Sequence, residues 1–331
     1  MFKLYAQAAI YSPPPFKYPE HDFVIPKLPS GAREKTVKIN SKHCDQYHRL
    51  TKWQNGIAAI VHPNYVQTLS LSMQLDMMVS NPFPFKPMGL VHVANKIDVH
   101  FLPEQNASLK LKTAFGKVFY HRRGWLFEVQ TSAEVDQVQA IMGTSYYLAR
   151  RRHSSEANKH FQSEAKKAGQ GLPSWIDDIV QDALEGEDEV TSCMSAVSES
   201  LVFSDDIGRK YAKVSGDYNP IHLYPYTAKL LGFKKAIAHG MYSKALAVSK
   251  VAQHTQFYKR SCSIKCVFML PIMLPLNTEL LIQGPQGKFG ADVESNEHFD
   301  FALSSTPSSK PSANKRNKSR IHLVGSIEAL N

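Results

Sequence analysis

Cysteine is scarce. Cys44, Cys193, Cys262 and Cys266 are the only four in 331 residues, too dispersed for a disulfide framework, so reduced thiols are expected. Cys262 and Cys266 lie four apart in an apolar, β-like run, which points both to one sheet face as buried thiols rather than half of a metal site. His43, Cys44, Asp45 and His48 are crowded together but share no accepted ligand spacing, and no metal is expected. Long apolar runs are missing as well: nothing approaches a membrane span. The opening MFKLYAQAAIYSPPPF has an apolar patch too short for a signal peptide, and the closing EALN matches no peroxisomal or retention signal, so a cytoplasmic protein without a membrane partner is expected. Acidic residues are fewer than basic ones, 29 against 39, a net charge of +10. Five of those cations fall in the Ser/Pro-rich stretch SSTPSSKPSANKRNKSR and three more in Arg150–Arg152. No zinc finger, RNA-binding signature or recognition-helix pattern accompanies them, which argues against nucleic acid; a basic surface also suits an acidic carrier protein or the phosphates of coenzyme A.

What is present is one pattern written twice. Tyr47 to Trp53 aligns with Tyr211 to Asp217 (211 − 47 = 164), His62-Pro-Asn-Tyr65 with His239-Gly-Met-Tyr242 (239 − 62 = 177), and Ile97 to Phe101 with Ile264 to Phe268 (264 − 97 = 167). Val66, Leu69, Met73 and Met77 make a helical stripe after the first histidine, and Met241, Ala245, Val248 and Ala252 make another after the second. Runs rich in aromatic and β-branched residues, broken by turn residues, follow in both halves and predict antiparallel strands around each helix. The expected organisation is an arm at 1–30, a degenerate unit at 31–150, a polar helix-prone connector at 151–195, and a complete unit at 196–331. Residues 291–319 are expected to be a disordered basic insertion before a last strand, Ile321–Ile327.

The two copies differ where chemistry can sit. The second contains YAKVSGDYNPIHLYPYTA at 211–228, with Asp217, Asn219, Pro220 and His222 inside six residues; Gly216 and Pro220 make this a turn. The first copy is shorter here and has Trp53 in place of Asp217. Gly240 falls in the first turn of the apolar helix, where unpaired N–H groups and the positive dipole end can hold an enolate-like oxygen. Tight helix–sheet packing accounts for a glycine there equally well.

Tyr211…Ser215-Gly-Asp-Tyr-Asn-Pro-Ile-His222, with Ala228 beyond it, resembles the signature of the MaoC-like, or hydratase-2, family of (R)-specific enoyl-thioester hydratases and dehydratases. Ile237-Ala-His-Gly-Met241 resembles that family's second motif, and Phe83 to Val93 its non-catalytic half. The resemblance covers roughly residues 30–290 and implies an α+β double hotdog: two antiparallel sheets, each wrapped around a long helix and packed as a pseudo-dimer. It implies a hydro-lyase that interconverts trans-2-enoyl and (R)-3-hydroxyacyl thioesters. Asp217 and His222 would activate and place the water, Asn219 would hold them, and the Gly240 N–H would polarise the thioester carbonyl. Tyr218, Pro220, His239, Met241 and Ser243 become the expected substrate contacts, together with Phe85, whose neighbours Phe83, Met88 and Leu90 suggest an apolar tunnel for a longer acyl chain. Tyr224 and Tyr226 read as packing or rim residues. No cofactor is implied beyond the coenzyme A or phosphopantetheine of the substrate. Expected partners are that thioester, an acyl carrier protein, and a second copy of the chain. The competing readings are a hotdog thioesterase and a non-catalytic acyl-binding subunit.

Overall fold

The computed structural model describes residues 1–14, 23–53, 59–151, 154–185, 194–285, 297–306 and 319–330. Five strands belong to the first unit: β1 (Ala32–Lys38), β2 (Val91–Val99), β3 (Ser108–His121), β4 (Gly124–Val135) and β5 (Val138–Arg150). Five belong to the second: β6 (Met194–Phe203), β7 (Cys262–Phe268), β8 (Leu276–Pro285), β9 (Phe299–Ser305) and β10 (Arg320–Ala329). They form a single sheet in the order β1-β3-β4-β5-β2-β7-β10-β9-β8-β6, with every pairing antiparallel. Read inward from either edge, the two halves have the same order. Each half therefore repeats one topology, and the halves meet where β2 pairs with β7. Ile97 stands opposite Ile264 at that seam. These are the residues the sequence repeat aligns, so a pseudo-twofold axis passes beside their pair. The double hotdog is thus present, with one difference from expectation: its two sheets are continuous, because the central strands complete each other's hydrogen bonds and leave no edge between the halves.

The helices explain the curvature. The first unit has α2 (Ser41–Thr51) and α3 (Tyr65–Met78); the second has α6 (Ile207–Ser215), α7 (Pro225–Leu230) and α8 (Gly240–His254). Helix α8 is buried nearly all round. Its Ala245, Ala247 and Ala252 let the backbone sit close under the sheet, while Leu246, Val248 and Val251 fill the core at about 1.5–3 kcal/mol of burial each. One apolar core runs through both halves and includes Tyr47, Tyr65, Tyr211 and Tyr242. Cys44, Cys262 and Cys266 are buried free thiols; Cys193 lies outside the described residues.

One expectation is extended and one needs correction. The helix-prone connector between β5 and β6 is helical, as read, and is not merely a link: it forms α4 (Ser155–Lys167) and α5 (Ser174–Glu185). Phe161 and Ala165 of α4 pack with Trp125 and Phe127, and Trp175 and Ile176 of α5 cover Leu148, Val267 and Val324 across the seam. Nor is residues 291–319 one insertion. Phe299, Phe301 and Leu303 alternate with outward-facing residues, and that period-two burial makes β9 an internal strand between β8 and β10. The lysines and arginines at 310–318 lie outside the described residues. No helix among the described residues is long and apolar enough to cross a membrane.

Candidate active site

The turn at 216–222 is fixed from several directions. Helix α6 stops because Gly216 adopts a left-handed conformation (φ 75°) and its N–H returns to the Ala212 carbonyl. Asp217 then turns the chain on itself: its N–H donates to Ser215 Oγ (3.1 Å), and its Oδ1 accepts the Asn219 N–H (3.2 Å). The Asn219 side chain accepts the Ile221 N–H and so caps a single 3₁₀ turn over Pro220–His222. Thr227 Oγ1 donates to the Pro220 carbonyl (2.6 Å), and the Ile237 N–H donates to the Ile221 carbonyl (3.1 Å). Gly208 of α6 lies directly beneath. A Cβ there would stand 1.9 Å from the His222 carbonyl oxygen, so only glycine lets the helix approach so closely.

This clamping aims two imidazoles and a carboxylate at one place. His222 Nδ1 donates to the Ile237 carbonyl (2.8 Å), which fixes the tautomer and leaves Nε2 as an acceptor. His239 Nε2 donates to the Asp217 carbonyl (3.0 Å), and the two rings stack with centroids 3.7 Å apart. Burial pushes the His222 imidazolium below its ordinary range, against the opposing pull of Asp217 and the Ile237 carbonyl. Burial and then the charge of His222 take His239 down to about 3. Burial alone would raise the Asp217 carboxyl; the His239 and His222 rings, the Tyr5 hydroxyl and the Asn219 N–H outweigh it and hold the group below the usual carboxylate range. The resting pair is an ionised acid beside a neutral imidazole.

Among the described residues, Asp217, His222 and His239 are also the one group whose donor atoms lie close enough, within 4.8 Å, to share a metal ion. Their geometry suits proton transfer better. His239 Nε2 is already engaged as a donor to the Asp217 carbonyl (3.0 Å), which leaves the Asp217 carboxylate and His222 Nε2 as the acceptors facing each other. His43, Cys44, Asp45 and His48 form no such group: Cys44 Sγ and His48 Nε2 are 3.3 Å apart, and His48 also accepts the His62 N–H.

A cavity of about 380 Å³ opens beside these groups. Asp217, Asn219, His222, His239, Gly240, Met241 and Ser243 all line it. The start of α8 has no side-chain cap, so its first amides keep their donor capacity toward the cavity. Gly240 also meets the packing requirement: a Cβ would lie 3.1 Å from the Phe268 ring. Three expected substrate contacts are not brought in. Tyr218 and Pro220 are outside the cavity lining. Phe85 stacks on Phe127 and instead lines an adjoining cavity of about 300 Å³, which shares Met88, Gly89, Leu90 and Arg150 with the first. Phe83 is fully buried against Phe115 and lines neither, so the expected tunnel is not walled by it.

The sequence reading missed what other elements contribute. His92 of β2 lines the cavity with its ring stacked on Tyr147 of β5, 4.6 Å between centroids, so the degenerate half supplies part of the wall. Exposed Arg123 and Arg150 stand at the same cavity. Tyr5, in helix α1 (Phe2–Ile10), donates its hydroxyl to Asp217 Oδ1 at 2.5 Å. The motif LVHVAN contained His92, but nothing local marks Tyr5, which is 212 residues from its partner. In the first half the equivalent site is filled. Lys52 takes the left-handed position of Gly216, and Trp53 lies buried with its ring 4.6 Å from His62.

Residues 181–293 match the family model of the MaoC like domain. The 3-hydroxyacyl-thioester dehydratase X of Mycobacterium tuberculosis is 24% identical over 223 residues, 67% of this chain and 70% of that protein. The peroxisomal enoyl-CoA hydratase 2 of Arabidopsis thaliana is 23% identical over 242 residues, 71% of each. The crystal structure of HtdX from Mycobacterium tuberculosis superposes with a TM-score of 0.62 at 22% identity, covering 90% of this chain and all of that one.

Proposed function

We propose that this chain, which carries a MaoC-like domain, is a hydro-lyase of acyl thioesters that adds water to a trans-2-enoyl thioester to give the (R)-3-hydroxyacyl thioester, and reverses that step. The observation that carries the reading is the convergence of Asp217, His222 and the uncapped start of α8 on one cavity. A water held between Asp217 Oδ2 and His222 Nε2 loses its proton to the pair as its oxygen bonds to C3. Electrons of the C2=C3 bond move toward the thioester carbonyl, whose oxygen is stabilised by the Gly240 N–H and the helix dipole. The pair then returns the proton to C2 from the same face, so water adds syn and the site ends as it began. Donors of this oxyanion type contribute about 10²–10³ in rate.

The cavity wall matches such a substrate. Met88, Leu90, Met241 and Phe268 offer apolar surface to an acyl chain, and Arg123 and Arg150 offer cations to the phosphates of coenzyme A or phosphopantetheine. In this reading Arg150, the first of the three arginines at 150–152, faces the substrate's phosphates. Incubation with a short trans-2-enoyl-CoA tests the reading. Hydration removes the conjugated-thioester absorbance without releasing thiol, whereas stoichiometric free thiol would show a thioesterase.

A further inference from the structure

Helix α1 lies beyond the matched domain, yet it reaches the reacting groups. It packs on α3 of the first half, and its Ala8 is buried. Beyond its end, the Tyr11 hydroxyl donates to the Phe83 carbonyl at 2.7 Å. At its start, the Met1 side chain comes to 3.4 Å from the place a Cβ on Gly216 would take. Anchored at both ends, the helix sets Tyr5 over the catalytic turn.

The two carboxylate oxygens of Asp217 are unequal as a result. Oδ1 accepts both the Tyr5 hydroxyl (2.5 Å) and the Asn219 N–H (3.2 Å). The first distance is that of a charge-assisted O–H···O⁻ bond. Oδ2 lies 3.8 Å from His239 Nε2, whose proton is already given to the Asp217 carbonyl, and no donor among the described residues bonds to it. We infer that Tyr5 is a positioning residue of the active site: its hydroxyl locks Oδ1 so that Oδ2 alone faces the reacting water, and α1 is a third structural part of the site. This rests on the hydration reading above. Burial, and then the Asp217 charge, push the Tyr5 phenol far above its ordinary range, so it remains a donor at every working pH. A carboxylate that loses such a donor becomes easier to protonate.

The other titratable groups facing Asp217 are His222 on its own turn, His239 at the start of α8, Tyr211 on α6, and His92 and Tyr147 from β2 and β5. Because several of them titrate, the test follows the carboxyl itself. Its ¹³C resonance, assigned as the one missing from Asp217→Asn, is titrated without substrate in the wild type, Tyr5→Phe and Tyr5→Ala; kcat and KM are measured against pH for the same proteins. In both Tyr5 variants the Asp217 titration and the acid limb of kcat/KM should move to higher pH by about one unit, with kcat roughly tenfold lower and KM nearly unchanged. A carboxyl titration that does not move in Tyr5→Phe overturns the contact. A moved titration with an unmoved rate profile, or a loss confined to Tyr5→Ala, overturns the positioning role and leaves a packing residue. Failure of the hydration reading shows separately: the wild type leaves the enoyl thioester intact while the carboxyl titration still shifts.

Discussion

Gly208→Ala changes one hydrogen to a methyl group, far from any substrate, and should cripple the enzyme. The new Cβ would lie 1.9 Å from the His222 carbonyl oxygen, where contacts under 3.0 Å are not tolerated, so helix and turn must separate by at least 3.0 − 1.9 = 1.1 Å. Helix α6 resists, since Ile207, Tyr211 and Ala212 are buried in the core beside Gly208. The turn must therefore yield, and it carries the His222 ring with it. Misplacing a catalytic group by about 1 Å costs about 10²-fold in rate. The clash itself should cost about 1–3 kcal/mol of stability, as overpacking does, which leaves a folded protein. Initial rates with enoyl thioester, beside a denaturant melt, give both quantities. A folded Gly208→Ala protein retaining more than half the wild-type kcat would show that the turn is not held in place by its contact with α6.

Two further substitutions probe the scaffold. Trp53→Ala empties the filled site of the first half and should cost about 3–5 kcal/mol in a melt, while the surviving folded protein keeps its KM for a short enoyl thioester. Lys244 is buried in α8, with Nζ donating to Asn95 Oδ1 (2.6 Å), the Asn95 carbonyl (3.2 Å) and the Ile264 carbonyl (3.1 Å) at the β2–β7 seam. Burial lowers its ammonium to about 7, well under its value in an unfolded chain. Between those two values the unfolded state binds the extra proton, so this group makes wild-type stability rise as pH climbs from about 7 toward 10, by at most about 1.4 kcal/mol per unit. Subtracting a Lys244→Met melt series from the wild-type series isolates that slope; a flat difference would refute it.

What could be read in advance was whatever is written locally or twice. The period-3.6 stripes placed α3 and α8 because each helix buries a continuous face, and the repeat that aligned Ile97 with Ile264 announced two like units, although only the structure puts that pair at the seam. Asp217, Asn219 and His222 were legible for the same reason: glycine, proline and an Asx turn leave a compact local signature. The failures have different physical causes. Strand β9 alternates with period two, but the basic Ser/Pro-rich run after it dominated the composition of the whole stretch. Phe83 suggested a tunnel wall through its hydrophobicity, which cannot distinguish a cavity wall from an aromatic core, whereas Phe85 does line the adjoining cavity. Tyr5 belongs to a short apolar helix whose meaning arises from a contact made only after both halves fold. Arg123 and Arg150 meet at the cavity because a β-hairpin brings strand ends together, not because of any charge run.

The most direct measurement is the single-turnover rate of trans-2-enoyl thioester hydration in Asp217→Asn and His222→Gln, at the two groups proposed to share the water. Each should fall by about 10²–10⁴-fold with thermal stability largely kept, because each removes one partner in proton transfer. Near-wild-type turnover in either variant would place the chemistry elsewhere in the cavity and contradict the account.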